Sequence, residues 1–555
     1  MQQDDWDAVV VGSGIGGLVC AGYLAVSGLR VLVLEQHDVA GGNTHVFRRR
    51  RAYEFDVGVH YLGDCGPDGV LPAIFGGLGL RERIHYREMD RDGFDRIVLP
   101  DVSVDVPTGW ARYRERLLAA LPQDAAGIDT FTEICGGAGA ELRAALLAAE
   151  DWSLAELTAR TPHLTHWGRR TLGQLFDHCG LSPRARTVLA AQSPDYGLGP
   201  AVATVPQHVA VIDHYLRGAY YPAGGGQQLA AALVEVLEAH GGELRTRARV
   251  ERILVADGRA TGVGLVGGHH VRAPLVISNA DYRRTVLELV GADHFPRRLA
   301  AKVRASTMAY PFATLYIGLD TELPDRPNAN VWWYRDADIG DAYERLGRGE
   351  FAPVRSLFIS FASLKDPGAT CPPGHSNLQV MTLCPADSRW WGVERGPADG
   401  GRYRRAASYQ ERKRQVAEAM LQAAEAALGP FRDHLTHLEL ATPLTQERYT
   451  LSTGGTPYGL ATWGDAGGRP SNRTPVKGLH LVGASTRYGS GVAGVAVSGI
   501  NCAGQILGQR LLSQVHSGRV LADPSRLPER PEGWDPLAVS RGLARRTARG
   551  LSRIG

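Results

Sequence analysis

The stretch DAVVVGSGIGGLVCAGYLAVSGLRVLVLE, residues 7–35, decides the fold. It begins with a short apolar run over 7–11, which is typical of a strand buried in a parallel sheet. An apolar helical segment follows over 18–25 and ends near Gly28. A second apolar strand over 30–35 closes the unit with an acidic residue. A strand, a glycine turn, a helix and a strand within about thirty residues predict a βαβ unit of the Rossmann type.

Three glycines in the turn form a G-x-G-x-x-G frame, and each has a predicted role. Gly12 allows the tight turn, and Gly14 allows the backbone to approach a pyrophosphate at the positive end of the helix. Gly17 allows the helix to pack closely on the sheet. Glu35 ends the second strand, where an acid accepts hydrogen bonds from a ribose 2′-hydroxyl. The frame and the acid together predict a dinucleotide site.

A second match to the same frame, at residues 262–268, lacks this context. The segments on both sides of it alternate like strands, and Asp257-Gly258 is a hairpin signal. No helix follows, so there is no helix N-terminus to meet a phosphate. We predict a β-turn here and a single nucleotide cradle in the chain. Any use of NAD(P)H as a reductant is therefore expected to be transient.

The segment GLHLVGASTRYGSGVAGVAVSGI, residues 478–500, adds a second glycine-rich element. It predicts a strand over 479–482, a turn, and a helix of small residues that begins near Gly491. The N-terminus of this helix is a second site for an anion or a dipole. A simple nicotinamide dehydrogenase has no need of such a distant element. A flavin dinucleotide does need it, because its ring system must be fixed as well as its phosphates.

Four motifs in the same order resemble one flavoprotein family, which holds the phytoene desaturases, carotenoid isomerases and retinol saturases. The first is the glycine frame, and the second is EFDVGVHYLG at 54–63, which is most similar to retinol saturases. The third runs over 218–253 and begins GAYYPAGGGQQLAAAL. The fourth is VGASTRYGSGVAGV at 482–495, which is closer to the desaturase form.

The resemblance implies an α/β fold with a Rossmann-type FAD-binding domain and a mixed α+β substrate domain, as in amine oxidases and carotenoid desaturases. The implied FAD domain is discontinuous, over 1–90, 220–300 and 470–515. The implied substrate domain takes 91–219 and 301–469, and a basic tail follows over 516–555. The residues that the resemblance places on FAD are Gly12, Ser13, Gly14 and Gly17 at the pyrophosphate, Glu35 at the ribose, Gly41 and Gly42 along the cofactor, Val250 at the adenine, and Gly483, Ala484 and Val492 at the pyrophosphate and flavin end.

The activity that the resemblance implies is FAD-dependent redox chemistry at a carbon–carbon double bond of a long hydrophobic polyene or isoprenoid. Saturation, isomerisation and desaturation all stay open. The adjacent residues His60 and Tyr61 are the candidate catalytic pair, as a proton donor or as groups that orient the substrate. The alternative is that they only shape the pocket.

Two other functions stay open on the sequence alone. A flavin amine oxidase of the lysine-dependent type has only four lysines to choose from. A non-enzymatic prenyl-chain binder shares the fold, but it has no use for an intact pyrophosphate cradle with a ribose acid. Hydrogen peroxide release with amines would favour the first, and a colourless purified protein would favour the second.

Composition excludes several classes of protein. A net charge of +3 is too small to indicate nucleic-acid binding. Seven cysteines without a C-x-x-C pair argue against a zinc site and a disulfide framework, and they fit a reducing cytoplasm. No segment reads as an export signal or a membrane span. The predominance of arginine over lysine suggests a bacterial source, and the oligomeric state stays open.

The C-terminal sequence DPLAVSRGLARRTARGLSRIG, residues 535–555, has a segregated pattern. Four arginines form one helical stripe and four apolar residues form another. A basic amphipathic helix of this kind can lie on an anionic membrane surface. We therefore expect a cytoplasmic protein and leave peripheral attachment to the cytoplasmic membrane face open, with glycines at 542 and 550 weakening the helix.

Overall fold

The computed structural model describes residues 5–148, 152–323, 326–461 and 468–543. The strands are β1 (Ala8–Val11), β2 (Val31–Glu35), β3 (Val46–Arg49), β4 (Tyr53–Asp56), β5 (Tyr86–Glu88), β6 (Asp95–Val98), β7 (Ser103–Val106), β8 (Tyr220–Pro222), β9 (Glu243–Thr246), β10 (Val250–Ala256), β11 (Arg259–Leu265), β12 (His270–Arg272), β13 (Leu275–Ser278), β14 (Phe312–Leu319), β15 (Asn330–Tyr334), β16 (Ser356–Phe361), β17 (Ser376–Leu383), β18 (Leu435–Ala441) and β19 (Leu479–Leu481). The helices are α1 (Ile15–Val26), α2 (Val70–Gly77), α3 (Trp110–Ala120), α4 (Ala125–Ala148), α5 (Leu154–Arg160), α6 (Pro162–Trp167), α7 (Leu172–His178), α8 (Pro183–Leu189), α9 (Val205–Leu216), α10 (Gln227–Ala239), α11 (Tyr282–Arg284), α12 (Arg297–Ala305), α13 (Ile339–Gly347), α14 (Ala362–Lys365), α15 (Ala407–Leu428), α16 (Pro443–Thr450), α17 (Gly491–Leu507), α18 (Leu511–His516) and α19 (Pro536–Val539).

A five-stranded sheet in the order β19-β13-β1-β2-β9 forms the first layer, and all its strand pairs are parallel. Strands β1 and β2 are buried along their whole length, as the apolar runs predict. Helices α1, α10 and α17 cover one face, and the small sheet β10-β11-β12 lies against the other. The predicted βαβ unit is confirmed, and so is the fold class.

Glycines allow α1 to pack unusually closely on its neighbours. A Cβ atom at Gly17 would lie 2.5 Å from the carbonyl oxygen of Gly12, which is shorter than the contacts that Cβ atoms make in proteins. A Cβ atom at Gly499 of α17 would lie 2.5 Å from the carbonyl oxygen of Gly16. These four glycines therefore let the turn after β1, helix α1 and helix α17 pack with their backbones in direct contact.

A second, seven-stranded sheet has the order β18-β14-β17-β16-β15-β6-β7. Its pairs are antiparallel except for β15 with β6. Helix α15 covers one face with its buried residues, and helices from the region 110–216 pack towards the other. Side chains alternate along β14, so Ala313 and Leu315 point to α15 while Phe312 and Thr314 point to the opposite face.

The segment at 262–268 has the strand and turn structure expected for it. Gly262 and Gly264 lie inside β11, which pairs with β12 after a turn at Gly267-Gly268. No helix follows it directly, so it presents no helix N-terminus to a phosphate. The boundaries of the two proposed domains stay a prediction.

The structure interrupts the helical pattern considered for 535–555 within the part of it that is described. Helix α19 stops at Val539, and Gly542 adopts φ 83°, which ends any right-handed helix. Val539 is buried in the core beside α10, and Ser540 bonds to the backbone N–H of Ala40 through its carbonyl oxygen. Residues 544–555, which carry the rest of the expected stripe, lie outside the described residues. Within the described part, no helix is long and apolar enough to cross a membrane.

Replacing Gly17 by Ala tests the close packing of α1. The added methyl meets backbone atoms, which cannot rotate away, so we expect the free energy of unfolding to fall by about 1–3 kcal/mol. Thermal unfolding of the cofactor-free protein measures this. Gly76→Ala in α2 is the control, because its nearest atom is the Arg81 guanidinium at 3.7 Å. Equal midpoints for the two variants would contradict the packing role.

Candidate functional site

A cavity of about 450 Å³ opens where the carboxyl ends of the parallel strands meet the seven-stranded sheet. Strand ends contribute Val11 and Glu35, and the N-termini of α1 and α17 contribute Gly14 and Gly491. In open parallel sheets, ligands bind at this edge of the sheet. Two helix N-termini at one cavity supply unpaired N–H groups and positive partial charge for an anion.

Most of the residues expected at the cofactor line this one cavity. They are Gly12, Ser13, Gly14, Glu35, Gly41, Gly42, Val250, Gly483, Ala484 and Val492. Gly17 does not line it, because its Cα faces the Gly12 carbonyl and Val10 in the packing described above. That the lining residues contact the cofactor stays a prediction, whereas Gly17 acts through packing.

Glu35 holds the glycine turn as well as facing the cavity. Its Oε2 accepts hydrogen bonds from the Ser13 backbone N–H at 2.9 Å and from the Ser13 hydroxyl at 2.6 Å. Its Oε1 accepts from the His37 backbone N–H at 2.8 Å. The carboxylate therefore ties the end of β2 to the turn between β1 and α1.

Asn279 joins the two glycine-rich turns, and the sequence analysis missed it. It follows β13 and donates from Nδ2 to the Gly12 carbonyl oxygen at 3.4 Å. A Cβ atom at Gly14 would lie 2.7 Å from its Nδ2, and one at Gly483 would lie 2.7 Å from its Oδ1. The Asn279 amide thus occupies the space that the missing side chains leave, and the backbone of both turns stays open to a ligand.

An FAD molecule fits the character of this cradle. The turn at Gly12 and Gly483 has positive φ, which only glycine adopts without strain. A Cβ atom at Gly491 would meet nothing within 4 Å, so the first residue of α17 presents bare backbone to the cavity. Residues 15–507 match the sequence profile of the flavin containing amine oxidoreductases. The chain belongs to this family of flavoenzymes.

Several known proteins are similar to this flavoenzyme over nearly its whole length. All-trans-retinol 13,14-reductase of Danio rerio is 30% identical over 539 residues, covering 92% of this chain and 87% of the relative. Prolycopene isomerase 1 of an Oncidium hybrid cultivar is 28% identical, covering 91% and 84%. A putrescine oxidase variant has a similar fold, with a TM-score of 0.61 at 17% identity, covering 91% and 99%. The flavoenzyme is an FAD-dependent oxidoreductase.

The seven-stranded sheet gives the cavity an apolar wall. Thr314 of β14 lies opposite Met381 of β17, which lies opposite Phe358 of β16, so the three side chains form a row across the sheet. All three line the cavity, together with Phe312 and Tyr458. A flat wall of aromatic and thioether groups is suited to an extended apolar molecule.

His60 lines the cavity, as expected, at the junction of the two sheets. Its ring meets Phe358 edge-on, with ring centroids 5.8 Å apart, and its buried Nδ1 has no hydrogen-bond partner among the described residues. Burial and the nearby Lys365 ammonium lower its pKa to about 3. His60 is therefore a neutral imidazole at neutral pH, which can hydrogen-bond to a bound molecule but does not act as an imidazolium acid.

Tyr61 points away from the cavity, which corrects the expectation of a catalytic pair. Of the two adjacent residues, only His60 lines the cavity. The Tyr61 ring stacks on Tyr215 at 3.9 Å. Its hydroxyl lies 2.8 Å from a carboxylate oxygen of Asp195 and 3.2 Å from one of Asp95.

Asp195 is a cavity-lining acid that the sequence analysis missed. It sits on the short 3₁₀ turn Ser193–Tyr196, which no motif marks. Burial is the main cause that raises its pKa to about 8, and the nearby Asp95 charge adds to the effect. The acid therefore holds its proton at neutral pH.

A buried lysine stands behind this wall. Lys365, at the end of α14, is 1% exposed and donates to the His60 carbonyl oxygen at 2.5 Å, to Asn330 Oδ1 at 2.5 Å and to Ser360 Oγ at 2.7 Å. Burial lowers its pKa to about 7, and the charges of Asp95 and the other buried aspartates oppose the shift. Its bond to the His60 carbonyl oxygen links the segment after β4 to the helix that follows β16 of the seven-stranded sheet.

A lysine-dependent amine oxidase needs a lysine at the flavin, and no lysine of the described chain lines the cavity. None of Lys302, Lys365, Lys413 and Lys477 lines it, although all four lie in the described part of the chain. The best placed, Lys365, spends its three N–H groups on the partners given above. The geometry thus weakens this alternative.

Replacing Glu35 by Gln tests the cradle. The substitution removes the charge and turns one of the two acceptor oxygens into an NH₂ donor. A charge-assisted hydrogen bond contributes about 1.5–3 kcal/mol, so we expect the dissociation constant for FAD to rise about ten- to a hundredfold. Titration of cofactor-free protein with FAD, followed by flavin fluorescence, measures it. Glu243→Gln is the matched control, since Glu243 lies on the adjacent β9, pairs with Arg245 and does not line the cavity. Unchanged affinity in Glu35→Gln would mean that the cradle is misassigned.

Proposed function

We propose that the protein is an FAD-dependent reductase that saturates one carbon–carbon double bond of a long apolar polyene of the retinoid or carotenoid type. The observation that carries the proposal is the aromatic and apolar wall formed by Phe312, Met381, Phe358 and Tyr458 beside the flavin cradle. The name of the retinol reductase relative, at 30% identity, supports the substrate class and the direction.

The chain's own groups suit this substrate. At neutral pH, His60 and Asp195 are both uncharged, so the wall presents no full charge to a hydrocarbon. Burying an apolar chain is favourable by roughly 25 cal/mol for each Å² removed from water. When bound, FAD supplies the two-electron redox chemistry, and the protein supplies position and environment. A nicotinamide or another reductant that visits transiently is the proposed source of electrons.

Isomerisation is the second candidate function. The prolycopene isomerase relatives, at 27–28% identity over most of the chain, favour it. The same apolar wall would hold a carotenoid whose double bond is turned without net reduction. Product mass separates the two functions, since saturation adds two hydrogens and isomerisation adds none.

The decisive experiment starts from enzyme whose bound FAD has been reduced without oxygen. Mixing with all-trans-retinol or a cis-carotenoid in detergent is expected to reoxidise the flavin in a single turnover and to give a product two hydrogens heavier. A product of unchanged mass with a shifted absorption band would indicate isomerisation. Reduced flavin that persists with every polyene, while the oxidised enzyme releases peroxide from amines, would establish an amine oxidase instead.

Replacing Phe312 by Ala tests the apolar wall in the same assay. Loss of a ring that touches the substrate is expected to raise the polyene concentration needed for half-maximal rate about tenfold or more, since burying such a ring is worth about 1.5–3 kcal/mol. FAD affinity should not change. Phe351→Ala is the control, because Phe351 lines a separate small pocket. Equal polyene dependence in both variants would contradict the assignment of the wall.

The FAD is expected to be bound without a covalent link. None of the seven cysteines lines the cavity, and all of them lie in the described part of the chain. Acid precipitation of the purified yellow protein should therefore leave the flavin in the supernatant. Flavin that stays with the precipitate would contradict this, and protein that cannot be reconstituted with FAD would contradict the cofactor itself.

A further inference from the structure

Asp195 is placed where a polyene held against the apolar wall would meet it. It lines the same cavity as Phe358 and Tyr458, and its hydrogen-bond donor Tyr61 packs against Phe358 with ring centroids 5.8 Å apart. The 2.8 Å bond from the Tyr61 hydroxyl fixes one carboxyl oxygen on the side away from the cavity. The Asp195 carboxyl is therefore partly exposed to the cavity and anchored from behind.

We infer that Asp195 is the acid that protonates the polyene during the reduction proposed above. The O–H bond of the Asp195 carboxyl breaks, and a C–H bond forms at one carbon of the double bond from the π electron pair. The neighbouring carbon takes up a hydride equivalent, which is the two-electron reduction of the proposed function. The products are the saturated carbon pair and an Asp195 carboxylate, and the inference rests on that proposed function.

The groups around Asp195 support a neutral acid that can become a stable carboxylate. Those that act on its charge are Asp95, Lys365, Tyr61, Tyr196, Tyr215, Tyr334, Tyr343 and Tyr458. Burial and Asp95 favour the protonated form at rest, while the Tyr61 hydrogen bond and Lys365 favour the ionised form. His60 offers no competing proton, because burial lowers its pKa to about 3.

Tyr61 acts in this arrangement as a positioning residue. Its ring stacks on Tyr215 and its hydroxyl donates to the Asp195 carboxyl, so it holds the acid and stabilises the carboxylate left after proton transfer. Burial raises the pKa of Tyr61 well above its ordinary value, so it stays protonated and keeps donating at alkaline pH. Removing its hydroxyl therefore raises the pKa of Asp195.

The first test reads the proton itself, without turnover. Infrared difference spectra of the FAD-loaded protein, taken between pH 6 and pH 10, should show a protonated carboxylic acid band that is lost with a midpoint near pH 8. The part of this band that belongs to Asp195 should be missing in Asp195→Asn. Asp105→Asn is the matched control, since Asp105 is a half-exposed carboxylate on β7 that pairs with Arg96 and does not line the cavity.

The second test uses single-turnover reoxidation of the reduced enzyme by the polyene. Asp195→Asn should slow this step about 10²–10⁴-fold, the usual contribution of a positioned acid, with FAD affinity unchanged. In the wild type the rate should fall about tenfold per pH unit above pH 8, because only the protonated acid reacts. In Tyr61→Phe, which keeps the stacked ring, this alkaline limb should move to higher pH.

The outcomes separate the inference from the function on which it rests. The inference alone is overturned if the Asp195→Asn variant reduces the polyene at a rate within threefold of the wild type. It is also overturned if this variant keeps the full carboxylic acid band. Wild-type enzyme that leaves every polyene unchanged overturns the proposed function and the inference with it. The inference is supported if Asp195→Asn is slow but binds FAD normally, and if the alkaline fall in rate moves to higher pH in Tyr61→Phe.

Discussion

The packing of the Asn279 amide against two glycine-rich turns holds the cofactor cradle together, and the rest of the site depends on this contact. The amide of Asn279 donates to the Gly12 carbonyl oxygen and lies where a methyl added at Gly14 or Gly483 would collide with it. The two glycine turns lie far apart in the chain, and this contact brings them to one side of the parallel sheet. The first turn leads directly into α1 and the second is followed by α17 from Gly491, and the N-termini of both helices line one cavity. A flavin dinucleotide is long enough to need both ends.

The local elements could be predicted because their determinants are local. The apolar runs, the glycine frame and the closing acid of residues 7–35 lie within one βαβ unit, and the structure has β1, α1 and β2 there. Asn279 and Asp195 could not be predicted, since each gains its role from contacts with distant segments. The carboxyl end of a buried strand was the signal available for Asn279, because ligands gather at that edge.

The His60-Tyr61 pair shows how a correct motif can give a wrong geometry. The motif leads to the cavity, but only His60 of the pair lines it. Tyr61 turns inward, where it reaches Asp195, so the motif marks the acid indirectly through its partner. In the tail, Val539 is one of the four residues of the apolar stripe, and it packs beside α10 in the core, whereas membrane attachment through the tail stays a prediction.

The buried ionisable groups explain how an apolar site can still do acid chemistry. A full charge facing a hydrocarbon would be poorly solvated, and the environment prevents it by lowering the pKa of His60 and raising that of Asp195. A charge appears at Asp195 only if it gives up its proton, and then Tyr61 and Lys365 are already in place to stabilise it. Lys365 also donates to the His60 carbonyl oxygen, so the group that balances this charge is the one that joins the seven-stranded sheet to the cofactor side. Lys365 thus both bonds to the chain beside the cavity and acts on the charge of Asp195, which is why we propose that the acid and the flavin cradle form one functional unit.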